Sequence, residues 1–401
     1  MPSLPSGEPA PPDGSLPAAS LRDLGRRPFG WYVHVPFCSS RCGYCDFNTY
    51  TAADLAGDDQ RATFADHLAA EVGLARRVLG AADLPAATVF VGGGTPTLLA
   101  PGALGAVLER ISAEFGLSPG AEVTVEANPD SVDPASLAAL RAAGFTRISF
   151  GMQSAVPHVL ATLERTHTPG RAVRAVAEAT AAGFDRISLD LIYGTPGESL
   201  ADWERTVDAA VATGAGHISA YALIVEEGTR LAGQVRRGQV GMPDDDLMAD
   251  MYELADDRFS AAGLAWYELS NWARAGHECR HNIGYWRGDD WWGAGPGAHS
   301  HIAGTRWWNV KHPSAYVERL LAGRSPAAGR EVLDPATRAV EEVMLAVRTA
   351  EGLGLRGLDS RQRAEADLVV ADGLARIAAD RLVLTPAGRL LADAVVRRLA
   401  W

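Results

Sequence analysis

Four cysteines in 401 residues are too few for a disulfide framework; three of them crowd into one short stretch and Cys279 stands alone far downstream. That argues against a secreted, disulfide-stapled fold and for a reducing, cytoplasmic setting. Long apolar runs are missing as well. No stretch approaches the ~18 unbroken apolar residues of a membrane span, so no integral membrane segment is expected. Basic residues are in deficit, with 37 Lys and Arg against 49 Asp and Glu and a net charge of −12. A phosphate backbone needs the opposite sign, so nucleic acid is not an expected partner. The opening residues are rich in Pro, Ser, Gly and Ala and lack the basic start and apolar middle of a secretory signal. They read as a disordered tail over residues 1–25.

What is present begins with Cys38-Ser-Ser-Arg-Cys42-Gly-Tyr-Cys45, directly after the alternating run Trp31–Pro36. The spacing CxxxCxxC brings three thiolates together, one short of the four ligands of a closed zinc site. A [4Fe–4S] cluster suits three cysteines better. Three irons take one thiolate each, and the fourth iron keeps an open position for a substrate or cofactor.

Downstream, short apolar runs alternate with longer amphipathic ones, the pattern of βα units on a parallel sheet. Strands are expected near 31–36, 88–91, 122–126, 147–150, 186–192 and 217–223, with helices such as 63–79, 103–115 and 200–212 between them. An internal echo supports this: Gly144-Phe-Thr-Arg-Ile-Ser-Phe150 returns as Gly183-Phe-Asp-Arg-Ile-Ser-Leu189, one unit later. The expected fold is therefore α/β, a partial TIM-like (β/α)6 barrel over 26–270. A connecting segment over 271–315 and a small, mainly helical, winged-helix-like domain over 316–401 follow. In such a barrel the active site lies at the C-terminal ends of the strands. The distinctive residues fall there: the cysteine loop, then Gly92-Gly-Gly-Thr-Pro96, Glu126-Ala-Asn-Pro129, Gly151-Met-Gln153 and Asp190-Leu-Ile-Tyr-Gly-Thr-Pro196. A glycine run at a strand mouth lets backbone groups approach a ligand closely. Beside an open iron, that ligand is expected to be S-adenosylmethionine (SAM). Blander roles exist for each residue. Glu126, Asp190 and Gln153 could cap helices or pair at the rim, and Tyr32 could be core.

These motifs, in this order and with Tyr32-Val-His-Val-Pro-Phe-Cys38, resemble the HemN-like radical SAM proteins over nearly the whole chain. The resemblance implies a cluster on Cys38, Cys42 and Cys45. It implies SAM contacts from Tyr32, Gly93, Gly94, Thr95 and Glu126, with Gln153, Arg165 and Asp190 at positions that bind SAM, partly a second molecule, in the coproporphyrinogen dehydrogenase branch. Two departures bear on function. That branch carries a further cysteine, as CxxxCxxCxC, where this chain reads Cys45-Asp46-Phe47. Second, Cys279-Arg-His-Asn-Ile-Gly-Tyr-Trp286 contains an HNxxYW element that resembles the family's heme-chaperone branch. The resemblance thus implies heme as a ligand and apo-hemoproteins, such as those of the respiratory chain, as acceptors. Oxygen-independent coproporphyrinogen III oxidation and radical chemistry on another substrate are the alternatives.

A heme reading of the element has chemical sense. His281 offers an imidazole, Cys279 a thiolate, and Trp286, Trp291 and Trp292 flat apolar surface, with Arg274, Arg280 and Arg287 for propionates. His299 and His301 are further candidates. Seven of the ten tryptophans lie between Trp266 and Trp308. The competing reading makes those tryptophans core and His281 a hydrogen-bonded structural residue.

Overall fold

The computed structural model describes residues 6–55 and 60–400. Six strands run parallel in chain order: β1 (Phe29–Val35), β2 (Ala86–Gly93), β3 (Leu117–Ala127), β4 (Arg147–Gln153), β5 (Arg186–Tyr193) and β6 (His217–Ala222). Each is covered on its outer face by helices, which is why these strands read as apolar runs. In β1 the outward row Trp31, Val33 and Val35 is fully buried against the helical shell. The alternate row, Gly30, Tyr32 and His34, faces the barrel interior. Sharp caps fix where helices begin: Ser199 and Asp202 form a capping box at Leu200–Ala212, and Asp133 does the same with Ser136 at Pro134–Ala142.

The sheet does not stop at six strands. Asp290–Ala294 adds a seventh parallel strand on the far side of β1, with Trp291 opposite Gly30. From it the sheet continues antiparallel through His299–Ile302, Thr305–Asn309 and Ala327–Val332. At the other edge Asn271–Ala273 pairs with β6. The segment expected as a connector over 271–315 therefore supplies strands to both edges of the parallel sheet. Residues 316–332 also belong to this body, since Tyr316 packs on the helix Phe64–Leu79 and Ala327–Val332 is in the sheet. The C-terminal unit has its own core, built from Val343, Val347, Val369, Leu382, Val395 and Leu399, and a three-stranded sheet that includes Arg381–Leu384.

The expected tail is also corrected. Residues 1–5 lie outside the described residues, but Glu8–Pro9 pairs with Gly329 and Arg330 at the sheet edge. Glu8 bonds Arg330 at 2.6 Å, and Ser20 Oγ meets Thr305 Oγ1 at 2.8 Å in a buried contact. Proline tolerates an edge strand because that position wastes no ladder donor. Among the described residues, no helix is long and apolar enough to cross a membrane.

Candidate functional site

The cysteine loop leaves β1 at the barrel mouth and is pinned at both ends. Cys38 N–H donates to Tyr50 O (3.0 Å), Gly43 N–H to Leu163 O (3.1 Å), and Leu231 N–H to Gly43 O (2.9 Å). All three cysteines are partly exposed free thiols. Burial raises the Cys38 thiol above its usual range and pushes Cys45 up to about 11. Among the described residues, no three His, Cys, Asp or Glu side chains converge tightly enough to hold a single metal ion. Three free thiols on one loop, with Cys42 and Cys38 near enough to help raise the Cys45 thiol, are a donor set of the chemistry that holds a multi-iron cluster, one thiolate to each iron.

The glycines after β2 are required first by packing. A Cβ on Gly94 would stand 2.5 Å from Phe37 O and 3.0 Å from Cys38 Sγ, and Gly93 has φ +112° with a Cβ position 2.5 Å from the His34 ring. Gly93 N–H donates to Glu126 Oε2 at 3.0 Å, and Thr95 Oγ1 reaches Cys38 Sγ at 3.9 Å. Glu126 and Asp190 face one another across the mouth. Burial, then the Asp190 charge, push the Glu126 carboxyl up to about 8. Asp190 is likewise raised by burial, partly offset by Ser149 Oγ, which donates to it at 2.8 Å, and by Ser219. Gln153 is buried at φ 57°, a left-handed conformation held by its surroundings, and its Oε1 has no hydrogen-bond partner. Arg165 donates to Gly151 O (3.1 Å) and to Cys42 Sγ (3.6 Å). Every mouth residue expected from the sequence is thus gathered around one opening.

Sequence reasoning missed His34. Its Nε2 lies 2.8 Å from Asn48 O, which only accepts, so Nε2 carries the hydrogen and Nδ1 accepts from Tyr32 OH at 3.0 Å. Burial lowers the His34 pKa to about 4, which keeps the ring neutral and this tautomer in place. Tyr32 is therefore more than core packing: its oxygen retains its lone pairs for a partner in the cavity it lines with Glu126 and Asp190. The alternation that turns Tyr32 inward turns His34 inward too, and that was the signal available.

The HNxxYW segment lies at the opposite end. Its helix, Arg280–Arg287, plugs the floor of the barrel. His281 is buried between Thr88 Oγ1 (2.8 Å from Nδ1) and Tyr285 OH (2.9 Å from Nε2), stacks on Phe90, and is lowered to about 3 by burial. Both ring nitrogens are engaged, so the expected free imidazole is not what this conformation presents. Asn282 bonds Glu268 at 2.9 Å. Beneath them, Glu122 Oε1 accepts from His281 N–H (3.2 Å) and sits 3.7 Å from Cys279 Sγ, while Oε2 faces Arg147 and Arg186 at 3.9 and 3.7 Å. Trp292 is core, edge-on to Trp307, whereas Trp291 lines a floor groove of about 190 Å³ with Phe29, Ile283 and Tyr285. Arg280 and Arg287 rim that groove, and Arg274 is exposed elsewhere. His301 uses both nitrogens, on Asp289 O and Gly304 N–H, and His299 is exposed beside Trp308.

The chain is 57% identical over 380 residues to the protein of Mycobacterium tuberculosis named heme chaperone HemW, covering 94% of this chain and 96% of that one. It belongs to the HemW family. The HemW of Escherichia coli K12 is 32% identical over 381 residues, with 92% and 97% of the two chains covered. The Radical SAM superfamily profile matches residues 32–210, the span from Tyr32 to the helix after β5. In fold, the chain follows the E. coli coproporphyrinogen III oxidase HemN, described as a radical SAM enzyme, with a TM-score of 0.82 at 20% identity over 97% of this chain and 94% of that one. Membership in the HemW family joins the two ends of this barrel, since both the cysteine mouth and the HNxxYW floor lie within the aligned span.

Proposed function

We propose that this chain is a cytoplasmic heme chaperone that binds heme and passes it to apo-hemoproteins, respiratory-chain proteins among them, and that carries a SAM-binding [4Fe–4S] cluster. The carrying observation is the likeness to HemW over almost the entire chain, together with Phe47 where a fourth cysteine would continue the loop. In this reading Cys38, Cys42 and Cys45 hold the cluster. Such a cluster, when present, supplies one-electron chemistry to a bound SAM. Around it the chain's own residues bind and orient. Gly93, Gly94 and Thr95 present backbone and hydroxyl groups at the mouth, Glu126 and Tyr32 accept from the amino group, and Gln153 offers its unpartnered Oε1. Arg165 and Asp190 close the far side.

Heme is proposed at the floor, on the helix Arg280–Arg287, with the groove against Trp291 as its apolar wall. For His281 to ligate iron, its ring must give up Thr88 or Tyr285, so heme uptake by this residue is coupled to movement of that helix. The experiment reconstitutes the protein anaerobically and divides it. One portion receives heme, and a Soret shift is expected that weakens at least tenfold in His281→Ala. The other receives coproporphyrinogen III, SAM and a reductant, and no vinyl groups should form. Vinyl formation would replace the chaperone reading with oxygen-independent coproporphyrinogen oxidation. Equal heme binding by His281→Ala would remove that residue from the site.

A pH dependence follows from Glu126. Its folded-state pKa is raised, so the folded state holds the proton more tightly than the unfolded chain. Its contribution to stability is present below about 4.5 and is lost as pH rises through about 8. A ligand ammonium that pairs with Glu126 must displace that proton below pH 8. SAM affinity for the reconstituted protein should therefore rise by up to about tenfold per pH unit toward 8 and then level. In Glu126→Gln the titration should be flat and weak; an unchanged slope would exclude this carboxylate from SAM binding.

A further inference from the structure

Each cysteine sulfur at the mouth has a hydrogen-bond donor of its own. Thr95 Oγ1 approaches Cys38 Sγ at 3.9 Å, and the Phe47 backbone N–H serves the Cys45 thiol. Cys42 alone receives a charged donor, Arg165 Nη1 at 3.6 Å. That guanidinium is not a loose surface group. Its other terminal nitrogen is spent on Gly151 O at the end of β4, and the two residues before it grip the loop. Leu163 O accepts from Gly43 N–H (3.1 Å), and Glu164, at φ 52°, lays its carboxyl carbon 3.1 Å from where a Gly43 Cβ would stand. Arg230 and Gln234 hold Glu164 in turn, at 2.6 and 3.3 Å, and Leu231 N–H donates to Gly43 O from the same helix (2.9 Å). The loop is thus clamped at Gly43 from two sides, with a cation aimed at the neighbouring sulfur.

We infer that Leu163–Arg165 is a redox-tuning clamp: Arg165, a positioning residue as well as a SAM-site residue, raises the reduction potential of a cluster held by Cys38, Cys42 and Cys45 through its hydrogen bond to the Cys42 sulfur. Reduction adds one negative charge to the cluster. A fixed cation against a ligating sulfur stabilises that charge more than it stabilises the oxidised form, and hydrogen bonds to the sulfurs are among the features that set such potentials. The neutral donors on Cys38 and Cys45 act in the same direction with less force. The inference rests on the three-cysteine reading above.

The test uses the full-length chain, reconstituted without SAM so that any role of Arg165 in binding SAM is silent. Iron and sulfide per chain are measured first, then the one-electron midpoint by a mediated dithionite titration followed by electron paramagnetic resonance. With Arg165→Gln the equilibrium constant for reduction should fall at least tenfold, about 59 mV for one electron. Arg165→Lys keeps the charge and loses the fork, so it should fall between that variant and the unaltered chain. It also supplies the measurement if the Gln variant assembles poorly. A full cluster with an unchanged midpoint in the Lys and Gln variants overturns the clamp. Failure of the unaltered chain to assemble a cluster would instead overturn the three-cysteine reading.

Discussion

Cys38→Ala, Cys42→Ala and Cys45→Ala should each leave the reconstituted protein with almost no bound iron, while Cys279→Ala keeps the full complement. The contrast comes from placement. The first three thiols share one partly exposed loop at the barrel mouth, and Cys279 is buried at the floor, 3.7 Å from Glu122 Oε1. A cluster with three protein ligands has no spare thiolate to recruit, and burial holds the Cys279 thiol up at about 12, where it is protonated and inert. Iron and sulfide analysis with the visible spectrum reads the result. Full iron content in any of the three mouth variants would show that the cluster has another ligand and that the loop has been misread.

Glu122→Ala is expected to cost about 3–5 kcal/mol, the scale for removing one partner of a buried ion pair. Arg147 is 1% exposed and would lose the carboxylate that compensates its charge, although it keeps His277 O at 2.7 Å and Ser188 Oγ at 2.6 Å. The His281 N–H would lose its acceptor in the same step. Urea unfolding should show a lower midpoint with an unchanged slope. Glu122→Gln keeps an acceptor in place and should cost less. A loss below about 1 kcal/mol in the alanine variant would mean that the floor relaxes around the missing carboxylate. A large loss would mark Glu122 as the anchor that holds the HNxxYW helix in the barrel.

The parallel strands were legible because each buries one face in the helical shell, and the alternating apolar residues of Arg186–Tyr193 and Arg147–Gln153 mark that face. The mouth residues were legible for a related reason: once the strands are placed, their C-terminal ends are placed, and Cys38, Gly93, Glu126, Gln153 and Asp190 fall at successive ends. His281 was not. Its helix lies in a polar interior, among Thr88, Glu122 and Tyr285, and a polar helix face looks the same in sequence whether it meets solvent or a polar cavity. Asp290–Ala294 was also hidden. A run of Asp-Trp-Trp-Gly-Ala carries no sign of a partner strand hundreds of residues upstream, and the edge pairing of Glu8–Pro9 sits in a composition that resembles a tail.

The strand Asp290–Ala294 also imposes a timetable. It is the outer neighbour of β1, yet it is made about 260 residues later, and at roughly 5–20 residues per second a ribosome takes tens of seconds to reach it. Asn48, just past the cysteines, waits as long for Pro296 O and Lys311 O, and Glu71 waits for Gly295, Asn309 and Tyr316. Throughout that interval the first strand has one bare edge, and the segment just past the cysteines lacks its contacts to Pro296 and Lys311. The earliest-made part of the barrel mouth is therefore among the last to be finished, and synthesis through Tyr316, rather than emergence of the cysteines, sets when its surroundings are complete.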